Sequence, residues 1–204
     1  MSSPLLAEEI VRLQIEMVER WHELAIDNRF DGFLRLVCQQ HEHNFRLWHE
    51  EDIARSPTVS DREIAQVKRN IDGLNQARND VIEQLDDAIT AMLAEQGVAC
   101  AAGTPFNSET AGSIIDRLSI MSLRLYHYRE QTMRTDADEA HRAKVQQRIA
   151  LCEQQHQDLT ASLGVLLDDL FSGRKLHKTY RQMKMYNDPS LNPSIYGADK
   201  RIAC

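Results

Sequence analysis

In the stretch VQQRIALCEQQHQDLTASLGVLLDDL (residues 145–170), Val145, Ile149, Cys152, His156, Leu159, Leu163, Leu166 and Leu170 recur in alternating steps of four and three. That is a heptad seam, the pattern of a helix that lays one face against other helices. A capping box read at Asp136-x-x-Glu139 opens this helix, and Ser172-Gly173 ends it. The seam predicts a central bundle helix with Leu159 and Leu163 deeply buried.

Working outward, four more helical stretches appear. Leu6, Ile10, Leu13, Met17, Trp21 and Leu24 predict a first helix from about Pro4 to Ile26, with Ser3 as cap. The second runs from about Phe33 to Arg55 and stops before Ser56-Pro57, because proline pushes the residue before it out of the α region. Ser60-x-x-Glu63 is a capping box for a long third helix that closes at Gly97. After a loop over residues 97–109, a fourth helix starts near Thr110 and carries Ile114, Leu118, Met121, Leu125 and Tyr128. The expected fold is all-α: an antiparallel bundle of about five helices with a basic, partly extended C-terminal tail. The bundle is assigned to residues 1–171 and the tail to 172–204.

Composition agrees. A chain of 204 residues with 42% apolar and 27% charged residues can bury a core and is not globally disordered. Eight glycines and five prolines are too few turn residues for a many-stranded sandwich or barrel. A formal charge of −7 argues against general DNA binding. The charge is unevenly spread: residues 172–204 hold seven Lys or Arg against two Asp, whereas the rest of the chain is acidic. Tyr180 and Tyr186 interleave the basic run Arg174, Lys175, Lys178, Arg181 and Lys184, and residues 186–197 should be irregular. The start, MSSPLLAEEIVRLQ, lacks a basic region before an apolar run, and no stretch of 18 apolar residues exists. The expectation is a cytoplasmic protein without a signal peptide or transmembrane segment. Cys38, Cys100, Cys152 and Cys204 share no CxxC spacing, so reduced thiols are expected.

Polar residues interrupt the inward stripes. On the second helix Leu34, Val37, His41, Phe45, Trp48, Asp52 and Arg55 lie in one line, flanked by Asn44 and Glu51. Lys68, Asp72, Asn75, Arg78 and Asn79 run along the third, and Asp116 and Arg117 stand in the first turns of the fourth. One reading is a buried network of ion pairs that fixes helix register. The other is a pocket between the second, third and fourth helices, with Trp48, Asp52, Arg55, Asp72, Arg78, Asp116 and Arg117 as ligand-binding candidates. Guanidinium groups suit phosphate and carboxylate because they offer a planar, bidentate fork.

Two Glu-x-x-His pairs, Glu19/His22 and Glu153/His156, have the spacing of di-metal carboxylate bundles, but they stand on the first and fifth helices rather than in the helix order such a centre uses. No metal and no cofactor is therefore expected. His41 reads as a hydrogen-bonded core residue, and His43 and His49 as surface residues. No GxSxG, P-loop, GxGxxG or HExxH motif is present, so no catalytic residues are assigned and the sequence leaves open whether the chain is an enzyme; an arginine-lined bundle pocket suits charge-complementary catalysis on an anionic substrate as well as binding alone.

Four segments together resemble a known family: NFRLWHEEDIAR (44–55), KRNIDGLNQARND (68–80), ETAGSIIDRLSIMSLRLYH (109–127) and QMKMYNDPSLNP (182–193). They are similar to a family of small bacterial helical proteins catalogued as a domain of unknown function, whose members are often encoded beside glycosyltransferases for lipopolysaccharide or other surface polysaccharides. The resemblance implies a bacterial cytoplasmic protein connected with envelope glycan assembly. It also directs attention to Asn187, Asp188 and Asn192. Three functional expectations result: binding of an anionic small molecule such as a sugar phosphate or nucleotide sugar; a non-catalytic module that docks on a glycosyltransferase; and, third, a di-metal carboxylate bundle. A homodimer remains open.

Overall fold

The computed structural model describes residues 3–183 and 190–192. Five helices make up the bundle: α1 (Ala7–Glu23), α2 (Gly32–Arg55), α3 (Asp61–Glu95), α4 (Ala111–Thr132) and α5 (Glu139–Phe171). The bundle is all-α; no strand forms among the described residues, only an isolated bridge between Phe106 and Leu176.

Capping chemistry sets most of the helix starts. At α3 the Ser60 hydroxyl accepts from the Glu63 N–H while the Glu63 carboxylate accepts from the Ser60 N–H, the predicted reciprocal box. Thr110 caps α4 by accepting from the Ser113 N–H. Two expected caps are displaced. The Ser3 hydroxyl bonds to Leu5, ahead of a helix that starts only at Ala7. At α5 the cap is Asp138, which accepts from the His141 N–H, because Asp136 is held instead by Arg134.

α4, not α5, is the central helix. It packs against each of the other four, whereas α5 packs chiefly on α4 and α1. The main core draws Ile10, Leu13, Met17 and Trp21 from α1 together with Ile115 and Leu118 of α4 and Leu163, Leu167 and Leu170 of α5. Leu163 is fully buried as expected, but Leu159 is only partly covered, since it lies where the main core gives way to a second cluster. That cluster joins Met121 and Leu125 to Val145, Ile149 and Cys152 near the α4–α5 connection. A third, Leu47, Val67 and Ile71, sits near the α2–α3 connection.

The approach of α3 to α4 rests on a single glycine. A Cβ at Gly112 would come within 2.7 Å of the Ile82 carbonyl oxygen and 2.8 Å of the Asp86 carboxylate. The Gly112 N–H instead donates to Asp86 at 2.8 Å, so a buried carboxylate from α3 satisfies one of the backbone donors left free at the start of α4. Burial pushes the Asp86 carboxyl above its usual range, while its hydrogen bonds from Thr110 and Gly112 pull the other way.

Residues 172–183 fold back over the bundle. The Leu176 N–H donates to Pro105, and Arg181 pairs with Glu83 and Asp87 of α3. Arg174 and Lys175 pair with Asp169, and Lys178 stands over the Phe106 ring. Most of the segment 186–197, including Asn187 and Asp188, and Lys184, Tyr186 and Cys204 lie outside the described residues. Cys38, Cys100 and Cys152 are free thiols, and burial pushes that of Cys38 up to about 12. No helix of the described residues is long and apolar enough to cross a membrane.

Candidate functional site

The polar residues of α2, α3 and α4 converge on Asp116, which is almost fully buried in the first turns of α4. Its Oδ1 accepts from Gln40 Nε2 at 2.6 Å, Asn44 Nδ2 at 3.0 Å and Arg78 Nε at 2.7 Å, and its Oδ2 accepts from Arg78 Nη2. Asn44 Nδ2 also donates to Ser119 Oγ at 2.9 Å, and the same hydroxyl meets His41 Nδ1 at 2.7 Å. A buried carboxylate is stable only when paired and hydrogen-bonded, and here it is both. Burial holds the His41 imidazole neutral by lowering its pKa to about 3.

Above this network lies a groove of about 310 Å³ whose lining includes Asn44, Trp48, Asp52, Arg55, Asn75 and Arg78. Four of the seven candidates, Trp48, Asp52, Arg55 and Arg78, thus share one concavity, and Asp116 anchors Arg78 from behind. The other two stand apart. Asp72 is exposed and pairs with Lys68 one turn earlier on α3. Arg117 is exposed, pairs with Glu109 at 2.9 Å and borders a different depression between α4 and α5.

The charged end of α2 is not buried as its stripe suggested. Asp52 and Arg55 are exposed, with Arg55 paired to Glu51 at 2.8 Å. The buried side of α2 passes through Asn44 and Leu47, because its C-terminal half packs on α3. All three arginines have an acidic partner. Arg78, however, commits only Nε and Nη2 to Asp116; its Nη1 has no partner among the described residues.

Glu19, Glu153 and His156 line one cavity of about 230 Å³, but the two Glu-x-x-His pairs do not bring their ligand atoms close enough for a single ion. His156 Nε2 meets Ser122 Oγ at 3.2 Å, and Glu153 accepts from Arg129 at 3.0 Å. His22 turns instead toward His49 and His127. Among the described residues these three histidines are the one grouping of His, Cys, Asp or Glu ligand atoms close enough for a single ion. His49 is half-buried rather than a free surface residue. Sequence spacing gave no signal for this meeting, since its members stand on α1, α2 and α4; Gln40 was missed for the same reason.

A family model described as a protein of unknown function, DUF4254, matches residues 34–179. The chain belongs to that family. The match runs from α2 through α5 into the folded-back segment, so every candidate of the DUF4254 groove falls inside it, as do His49 and His127, while His22 on α1 precedes it. No curated protein and no solved structure matches the chain.

Proposed function

We propose that this DUF4254 protein is a small-molecule binding module whose ligand, an anion of the sugar phosphate or nucleotide sugar class, lies in the α2–α3–α4 groove. The supporting observation is the tethered guanidinium of Arg78. Asp116 fixes its plane through two hydrogen bonds and leaves Nη1 for a ligand. A donor held in place in advance loses little freedom on binding. Arg55, on the same groove, is paired only with an exposed carboxylate one turn away, an interaction that an anionic ligand can displace at small cost. Trp48 supplies an aromatic wall for a sugar or base. The resemblance of the sequence segments supports a role in bacterial cell-surface polysaccharide or lipopolysaccharide synthesis, in the cytoplasm. No reaction is assigned.

Calorimetric titration with uridine diphosphate sugars and hexose phosphates tests this reading. Saturable 1:1 binding that weakens at least tenfold in Arg55→Ala is the expected result. Arg55 is the informative position because its side chain is exposed, whereas loss of Arg78 would strand Asp116. Absence of saturable binding across both ligand classes, or binding indifferent to Arg55→Ala, would sink the proposal. The second reading, a non-catalytic module docking on a glycosyltransferase, is favoured by one observation: each arginine of the set already has a carboxylate partner.

A further inference from the structure

Behind Trp48 the molecule carries a second constellation that the groove does not use. His22 stands in the last turn of α1, His49 in the last two turns of α2 and His127 in the C-terminal half of α4. One ring nitrogen from each lies within 4.8 Å of the other two. The three rings meet edge to face, with centroids 5.1–5.8 Å apart.

Two hydrogen bonds fix how these rings can act. His22 Nδ1 lies 2.6 Å from the Val18 carbonyl oxygen, and a carbonyl only accepts, so Nδ1 carries the proton. His127 Nδ1 lies 2.7 Å from a carboxylate oxygen of Glu130 and donates in the same way. In the neutral ring both bonds leave Nε2 as a lone-pair donor. Both Nε2 atoms are buried and have no hydrogen-bond partner among the described residues. Two such orphans in one cluster are costly unless something binds them. A histidine whose Nδ1–H is held by a carbonyl or carboxylate, with Nε2 directed elsewhere, is the arrangement of a metal ligand oriented by its outer partner.

The surroundings restrain the rings. Trp48 stacks on His127 at 4.7 Å, Tyr126 stacks on His22 at 4.0 Å, and Phe45 meets both His22 and His49 edge-on.

We propose that His22, His49 and His127 form a site for a divalent transition metal of the zinc class, held by three imidazoles from three helices with a fourth position left to solvent or a small ligand. An all-imidazole donor set suits Zn²⁺ and its neighbours and is unsuited to Mg²⁺ or Ca²⁺, which require oxygen. Metal–nitrogen bonds of about 2.0–2.1 Å in a tetrahedron put the nitrogens roughly 3.3 Å apart. The ring nitrogens, within 4.8 Å of one another, therefore need to close by at most about 1.5 Å. Three protein ligands with one open position is the pattern of sites that bind or activate a further molecule, not of closed structural sites.

The test uses the full chain, free of any affinity tag and stripped with a chelator. Zn²⁺ and Co²⁺ should each bind at one equivalent, Co²⁺ with the intense visible bands of a four-coordinate ion, and Zn²⁺ but not Mg²⁺ should raise the melting temperature. His49→Ala and His127→Ala should each weaken Zn²⁺ binding about 100-fold or more, Glu130→Gln roughly tenfold, and His141→Ala on α5 not at all. Because losing a ring could loosen the aromatic cluster, the native chain supplies an independent readout. In ¹⁵N-histidine spectra Zn²⁺ should move the signals of His22, His49 and His127 and leave the other five histidines in place. Absence of stoichiometric binding, equal affinity in the triad variants, or movement of a different set of histidines would each overturn the assignment.

Discussion

Removing the Arg78 side chain should unfold this protein more readily than its partly exposed position suggests. Asp116 is about 8% exposed and Arg78 about 24%, so their pair is largely shielded from water. Arg78→Ala takes away two of the four hydrogen bonds that Asp116 accepts and its counter-charge; the amides of Gln40 and Asn44 remain. Breaking a buried pair from one side costs about 3–5 kcal/mol. The residual exposure of Arg78 admits some water to the freed carboxylate, which brings the expectation to about 2–4 kcal/mol. In urea, with a slope of about 2 kcal/mol per molar, the midpoint should fall by roughly 1–2 M. The decisive arm is the double variant. Arg78→Ala with Asp116→Asn removes the stranded charge but keeps an oxygen that accepts from Gln40 and Asn44, so it should be more stable than Arg78→Ala alone. A cost below about 1 kcal/mol for Arg78→Ala, or a double variant as unstable as the two singles added together, would refute this account of the network.

Two further outcomes are expected. Gly112→Ala, which would stabilise an ordinary helix by up to about 1 kcal/mol, should here destabilise by about 1–3 kcal/mol, because the new Cβ would meet the Ile82 carbonyl oxygen; a raised melting temperature would show that α3 and α4 are not this close. Acid should weaken the fold through His41: its folded pKa of about 3 lies below the usual 6.5, so below pH 6.5 the unfolded chain binds the extra proton. The stabilisation is present above pH 6.5 and lost as pH falls, by about 2 kcal/mol between pH 7 and pH 5. His43 and His156 add in the same direction. Urea midpoints across that range, compared with His41→Gln, measure the slope; a profile unchanged by the substitution would remove His41 as its cause.

The helices were legible because each writes its own periodicity and caps into the chain. Ser60 and Glu63 cap α3 as read, and Leu163 is buried as the seam of α5 requires. Two neighbouring acids misled the α5 start: Asp136 and Asp138 stand equally near the helix, and Arg134 decides between them by engaging the first. Which helix is central could not be read from a seam, because α4 mixes Asp116, Ser119 and Ser122 into its buried surface and so looks less apolar than it packs. The candidate groove was half visible: spacing placed Trp48, Asp52 and Arg55 on one line of α2, but only tertiary packing separates Arg78 from Arg117. The histidine cluster, and with it the proposal of a bound metal against the sequence expectation of none, depends on three helices meeting.

The side-chain amide of Gln14 in α1 donates to the carbonyl oxygen of Ile115 in α4, across 101 positions of chain. Ribosomes add about 5–20 residues per second, so roughly 5–20 seconds separate the synthesis of the two partners. During that interval α2 is at hand, whose His41 and Phe45 meet Trp21, but the nascent chain lacks α4, the helix on which α1 chiefly packs and which completes the core around Ile10, Leu13 and Met17. Chaperone demand for this protein should therefore centre on α1 while α4 is still being made, and slowing translation between α1 and α4 should raise its tendency to aggregate.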